Sequence, residues 1–336
     1  MDFILEEGKD KIKEYLVPRL TEYIFDELSY DYLKKANVED LLKDVPVPIN
    51  KKELQNISTL NIAQWMAFVI GCDPSFTHRK AYIDYILRTF TEKFALGLIN
   101  LGVDYAAKEE FEHAAILFRA ALLIDENSVD ALYCYGRACK DAYENGETED
   151  YVARFKAESM EAFEELTLKK EDFDMGYYFL GYAYLNLGLY IKAKLTFDSF
   201  MKLSDDTELR KEIRQRVELL EDPVKIEEGY NLILSQKYYE GIEILSKYKE
   251  GAFQNWWPLW YYLGVAYRGI GEIEEAIEYL KKVLLYSPSN IETIEMLVEL
   301  YEIEEDEVKT NKYKSKLKLI KENIEKDKLL KQENLQ

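Results

Sequence analysis

Histidine is nearly absent: His78 and His113 are the two in 336 residues. A Ser–His–Asp triad has almost nothing to draw on. No HExxH occurs, and no Cys or His spacing suits a four-ligand zinc site. Cysteine is as scarce. Cys72, Cys134 and Cys139 form no paired framework, which fits a reducing compartment. Glycine (15) and proline (7) are few, and no stretch alternates with period two for long enough to claim a sheet. Long apolar runs are missing as well. The longest near the start, Trp65 to Gly71, falls far short of the roughly 20 residues of a membrane span. The opening MDFILEEGKDKIKEYL is acidic where a secretion signal would be basic. Bases are outnumbered 44 to 64, a net charge of −20, which counts against nucleic-acid binding and against docking on anionic lipid. The expectation is a soluble, cytoplasmic chain, and its Lys-, Ile-, Glu- and Tyr-rich usage points to an AT-rich bacterial genome.

Hydrophobic residues make up 48% of the chain, enough for a large core, and they recur at helical spacing throughout. The clearest segment is Trp257 to Pro288. With Trp260 as position 4, Leu263 and Gly264 fall at 7 and 8, Tyr267 at 11, Gly271 at 15, Ala276 at 20, Leu280 at 24 and Pro288 at 32. Gly264 and Ala276 permit a close helix crossing that Tyr267 and Leu280 fill beside them. Gly271 allows a tight turn and Pro288 stops the second helix. The template recurs at 95–128 (Gly102, Tyr105, Ala114, Phe118, Ala121) and at 174–207 (Tyr177, Leu180, Gly181, Tyr184, Gly188, Ala193, Phe197). It is weaker at 222–255 (Gly229, Gly241, Leu245). The unit at 129–173 (Leu132, Gly136, Phe163) carries about 11 extra residues around Asn145-Gly146. A stretch of 14 residues separates the third and fourth units and reads as a charged helix, Thr207 to Glu221. A last unit, 291–322, keeps Tyr301.

These landmarks resemble the tetratricopeptide repeat, a 34-residue helix–turn–helix unit, over about 95–322. The resemblance implies an all-α fold: a right-handed superhelical solenoid of such repeats, with a helical N-terminal domain and a C-terminal capping helix. The domains expected are 1–93, with a linker near 45–50 at VPVPI, then the array over 94–305, then the cap and tail over 306–336. Ile4, Ile12, Leu16, Leu20, Ile24 and Leu28 predict helix in the first part. Lys309 to Leu330 alternates lysine with apolar residues, as a polar-faced terminal helix should.

Several motifs have ordinary readings. Cys139 stands at position 11, where other units place Tyr, and is expected to pack. His113, at position 19, is expected to face solvent. Gly269-Ile270-Gly271 reads as a repeat turn, with no strand before it to make a phosphate loop. Ser199-x-x-Lys202 is a chance spacing, and Asp125 to Ser128 is expected to cap the next helix rather than bind calcium. Residues 60–80 match the first half of a DNA-binding helix-turn-helix, with Ser75 to Arg88 as the second helix. Thr77 and Lys80 stand where that pattern wants apolar residues, so an ordinary helical pair is preferred. Some bacterial peptide-pheromone receptors join a helical effector domain to such repeats, and certain of them bind DNA.

Positions 5, 9 and 12 share one face of each first helix, expected to line a concave groove. They read Ile99, Val103, Ala106; Tyr133, Arg137, Lys140; Tyr178, Tyr182, Leu185, with Asn186 beside them; Ile226, Tyr230, Ile233; Tyr261, Val265, Arg268; and Glu295, Glu299, Glu302. Tyr133, Arg137, Lys140, Tyr178, Tyr182, Asn186, Tyr230, Tyr261 and Arg268 are the candidate binding residues. Tyrosine offers large contact area at low entropy cost and a hydroxyl for backbone groups. Glu295, Glu299 and Glu302 read as a solvated end. The carboxylate clamp of chaperone-binding repeats, Lys and Asn on the first unit, has Ile99 and Val103 in its place. The expected function is a non-catalytic scaffold or adaptor, with no cofactor and no metal, that binds a protein or peptide bearing an acidic or aromatic segment. The alternative is a peptide-responsive signalling receptor whose N-terminal helical domain is the effector.

Overall fold

The computed structural model describes residues 10–333 apart from 56 and 92, with side chains as far as 326. Ile4 and the side chain of Leu330 lie outside the described residues. Two compact units divide the chain, one ending at Ile213 and the other beginning at Arg214. The fold is an all-α array of helical repeats.

The first unit opens differently from the helical expectation. A short helix, Lys13–Leu16, runs into a 3₁₀ turn, Val17–Glu22, that holds Leu20. Ile24 then sits in a strand, β1 (Tyr23–Glu27), paired antiparallel with β2 (Pro46–Asn50). VPVPI is therefore a strand rather than a linker. Proline forbids helix there and is tolerated in a two-stranded ribbon, which is all edge. Val47 is wholly buried beneath it. The apolar spacing at 12, 16, 20 and 24 fits helix by count alone, and at Ile24 pairing with β2 overrides it.

Helix α1 (Thr59–Cys72) is buried almost all round, from Ile62 to Cys72. A Cβ on Gly71 would lie 2.2 Å from the carbonyl oxygen of Ile116, so this helix crosses the first repeat at backbone contact. Helix α2 (Arg79–Phe90) begins four residues later than the helix-turn-helix pattern requires. Its basic residues are spent within the chain: Arg79 on the carbonyl of Pro74, Lys80 on Asp84 and Arg88 on Asp40.

The repeats follow as helix pairs: α3 (Lys93–Ala106) with α4 (Phe111–Ile124), α5 (Val129–Glu144) with α6 (Glu149–Lys169), and α7 (Asp174–Asn186) with α8 (Tyr190–Leu203). An extra helix, α9 (Thr207–Leu219), stands where the 14-residue insertion was read. The second unit contains α10 (Glu221–Leu234) with α11 (Tyr238–Leu245), α12 (Trp257–Gly269) with α13 (Ile273–Tyr286), and α14 (Ile291–Ile303) with the long α15 (Glu307–Glu333).

One crossing recurs in five pairs. A Cβ on Gly102 would lie 2.6 Å from the Phe118 ring, one on Gly136 2.8 Å from Phe163, and one on Gly181 2.4 Å from Phe197. Gly229 and Gly264 meet Leu245 and Leu280 in the same way, at 2.7 and 2.8 Å. The position-8 glycine thus seats the bulky residue at position 24, which sets the phase of each unit. In the second unit of the array the 11 extra residues leave this crossing untouched. Compared with α7 and α8, they lengthen the end of α5, the turn and above all the start of α6. Gly271 closes its turn with φ +86°, as expected. Cys139 is buried, and Ser128 caps α5 through the backbone N–H of Ala131 at 3.2 Å.

Candidate functional site

Helices α5 and α7 bring six of the sequence candidates into the first unit. Tyr133 is half-buried, its ring 5.2 Å from Phe173 and 5.9 Å from Phe179. The Arg137 guanidinium, one turn further on, lies over both the Tyr133 and Phe179 rings, 5.6 and 5.5 Å from their centres. Phe179 belongs to α7, so this cation spans the two helices. Arg137 is exposed, and among the described residues no carboxylate forms an ion pair with it. Burial pushes the Tyr133 hydroxyl up, with Arg137 acting against the shift.

Tyr178 and Tyr182 follow on α7, their rings 5.1 Å apart and packed on Phe200 and Phe197 respectively. Both hydroxyls donate to one carboxylate, that of Glu212 on α9, with Tyr178 at 3.1 Å. Burial and these neighbouring groups drive the Tyr178 hydroxyl far above its ordinary range. Lys140 is tied to Glu144 at 2.6 Å, and the backbone carbonyl of Asn186 accepts from Lys156, also at 2.6 Å.

Tyr230, Tyr261 and Arg268 fall in the second unit. Tyr230 stacks on Tyr262 at 4.7 Å, and Tyr261 meets Tyr262 edge-on at 5.5 Å. Ile226 and Ile233, which share the face of Tyr230 by spacing, are core residues, each 1% exposed. That face is packing. Arg268 pairs with Glu299 at 2.7 Å, while Lys314 and Lys321 of α15 hold Glu302 and Glu295 at 2.6 and 2.8 Å. The three glutamates read as a solvated end are thus each neutralised by a neighbour.

The sequence reading missed two features. Glu212 carried no motif, and only the fold places it on two tyrosines. The other is a pair of adjacent cavities, about 610 and 590 Å³, that share Arg19, Glu110 and His113. His113 is not solvent-facing. Its ring stacks on Tyr105 at 5.1 Å and lies 5.7 Å from Phe68. Burial, with Arg19 nearby, lowers its pKa, opposed by Glu110, Glu22 and Glu112. Arg19 is bound to Glu112, which also accepts from Tyr151. Among the described residues no group of His, Cys, Asp and Glu is placed to hold a metal ion, and no helix is long and apolar enough to cross a membrane.

Models of the tetratricopeptide repeat match residues 176–207 and 257–290. Among solved structures, the tetratricopeptide domain of P58(IPK) is 19% identical over 67% of this chain and 60% of that chain, with a TM-score of 0.41. YrrB, described as a tetratricopeptide protein with an unusual peptide-binding site, is 19% identical over 64% of this chain and 96% of that chain, TM-score 0.32. MamA of Desulfovibrio magneticus RS-1 is 14% identical over 68% of this chain and 96% of that chain, TM-score 0.28. Likenesses this distant carry no argument about function. No curated protein matches the chain.

Proposed function

We propose, for a chain that is a tetratricopeptide-repeat protein, that it is a non-catalytic scaffold whose first unit binds a peptide segment of a partner protein on the α5–α7 face. The observation that carries this reading is Arg137. It is an exposed guanidinium that forms no ion pair among the described residues, in a chain of net charge −20, held over two aromatic rings. A cation fixed over two aromatic rings, with Tyr178 and Tyr182 on the next helix, favours an acidic or aromatic segment. The free thiols Cys72, Cys134 and Cys139 are consistent with work in the cytoplasm.

Tyr230, Tyr261 and Arg268 are not part of the proposed face, since their partners lie within the second unit. A peptide-responsive receptor is the second reading. Its support is the N-terminal strap, residues 10–22, bound directly to repeat helices through Asp10–Arg119, Lys11–Glu161 and Arg19–Glu112.

The test is capture from source-cell lysate by the full chain and by its Arg137→Ala/Tyr182→Phe variant, read by mass spectrometry. Tyr182→Phe keeps the ring on Phe197. A captured protein whose affinity falls by about 2 kcal/mol in the variant is the expected result. Identical captures with unchanged circular dichroism would reject the face.

A further inference from the structure

We infer that α9 is a built-in occupant of the Tyr178/Tyr182 face, and that the partner it yields to presents the same chemistry: a helical segment with a carboxylate followed by a branched aliphatic residue. This rests on the binding reading above and names its ligand class. Helix α9 lies outside the 34-residue repeat, so no crossing glycine anchors it. Of its 13 residues only Ile213 is buried, while Glu208, Lys211, Arg214, Gln215, Arg216 and Glu218 are exposed. With one fully buried apolar residue and two half-buried ones, Leu209 and Val217, the helix buries little area for its length, so little free energy opposes its release. Its described side-chain contact with α7 is the Glu212 carboxylate, which accepts from two tyrosine hydroxyls on adjacent turns, while Arg210 donates locally to the carbonyl of Ser204 at 2.8 Å.

Those hydrogen bonds are charge-assisted and directional, and a carboxylate arriving from another molecule can make the same pair. The face already favours such a ligand. Arg137 lies over Phe179, whose neighbour on α7 is Tyr178, 5.2 Å away ring to ring. A tethered occupant sits at high effective concentration, so it lowers the apparent affinity of any free competitor by the fraction of chains in which it is seated. The partner is thereby selected for a stronger acid-plus-aliphatic match than α9 itself provides.

The experiment uses the full-length chain and a fluorescent synthetic peptide of residues 204–219 as probe. Glu212→Ala/Ile213→Ala opens the seat in the chain. Anisotropy is expected to show the peptide binding the opened chain at least tenfold tighter than the wild type. The same peptide carrying Glu212→Gln should bind the opened chain at least tenfold more weakly than the unsubstituted peptide. Because Ile213 is buried and its loss could disturb the fold, the exposed Glu212→Ala change is tested alone by hydrogen exchange. Residues 207–213 should then exchange at least tenfold faster, with α7 unchanged. Equal peptide binding by the two chains, no binding to the opened chain, or unaltered exchange in Glu212→Ala each overturns the inference. Absent peptide binding beside a lysate capture that depends on Arg137 and Tyr182 sinks the occupant and spares the binding face. Peptide binding beside an unchanged capture sinks the face, and the inferred ligand with it.

Discussion

Gly181 and Gly97 occupy first helices of the same kind, yet their missing side chains do opposite things. A Cβ at Gly181 would lie 2.4 Å from a Phe197 ring that is itself wholly buried, whereas one at Gly97 meets nothing within 4 Å. Helix propensity favours alanine at both by roughly 0.5–1 kcal/mol. At Gly181 the overpacked crossing outweighs that gain. Gly181→Ala is expected to destabilise by about 1–3 kcal/mol, and Gly97→Ala to stabilise by about 0.5 kcal/mol. Urea unfolding of the two variants reads both signs. A stable Gly181→Ala chain would mean that the glycine–phenylalanine crossing does not set the phase of the repeat. Position-8 glycines are visible in the sequence as a period, but which residue each one seats is a matter of three-dimensional contact.

At the scale of elements, the N-terminal strap is held by a buried polar network. Arg119 on α4 is wholly buried and paired with Asp10, while Tyr135 on α5 donates to Glu158 on α6 at 2.5 Å. Burial raises the Glu158 carboxyl to about 7, opposed by the Arg119 charge and by the bond from Tyr135. Asp10 and Lys11 also act on it, in opposite directions. The native carboxyl therefore keeps its proton where the unfolded one, near 4.3, releases it. The stability this contributes is fully present below about pH 4 and is lost as pH rises through 7. Glu158→Gln, neutral at every pH, should gain on the wild type between pH 5 and pH 8 in urea midpoints. An identical difference at both values would show that Glu158 does not titrate in the native chain. None of the four residues sits in a recognisable motif. The sequence presents them as one Arg, one Tyr and two acids, scattered over 149 positions from Asp10 to Glu158.

The whole molecule divides within α9, between Ile213 and Arg214, and the second unit has apolar cores of its own. One is built around Leu259, Trp260 and Leu263, and another around Leu297, Leu300 and Tyr301. Units with separate cores need not melt together. Differential scanning calorimetry is expected to give a calorimetric enthalpy larger than the van't Hoff value. Val47→Ala, in the first unit, should lower one transition and leave the other in place. A single transition with equal enthalpies would mean that the chain folds as one cooperative block.

The sequence by itself determined the repeat. A small residue at position 8 and a bulky one at 24 leave a helix pair little freedom in how it crosses, so five units could be read in phase from spacing alone. The helix across the 14-residue insertion and the cap on α5 were legible for the same reason, since helix and capping signals are local. Tertiary structure decided the rest, because the remaining choices turn on partners distant in sequence. Ile24 and VPVPI became a ribbon because each supplies the other's backbone partners, which neither shows alone. Ile226 and Ile233 share the spacing of groove residues but are taken into the core. Tyr178 and Tyr182 look like free anchors in sequence, yet Glu212, some 30 residues on, already accepts from both hydroxyls. Spacing fixes which residues share a helix face, and only the packed chain fixes what that face meets.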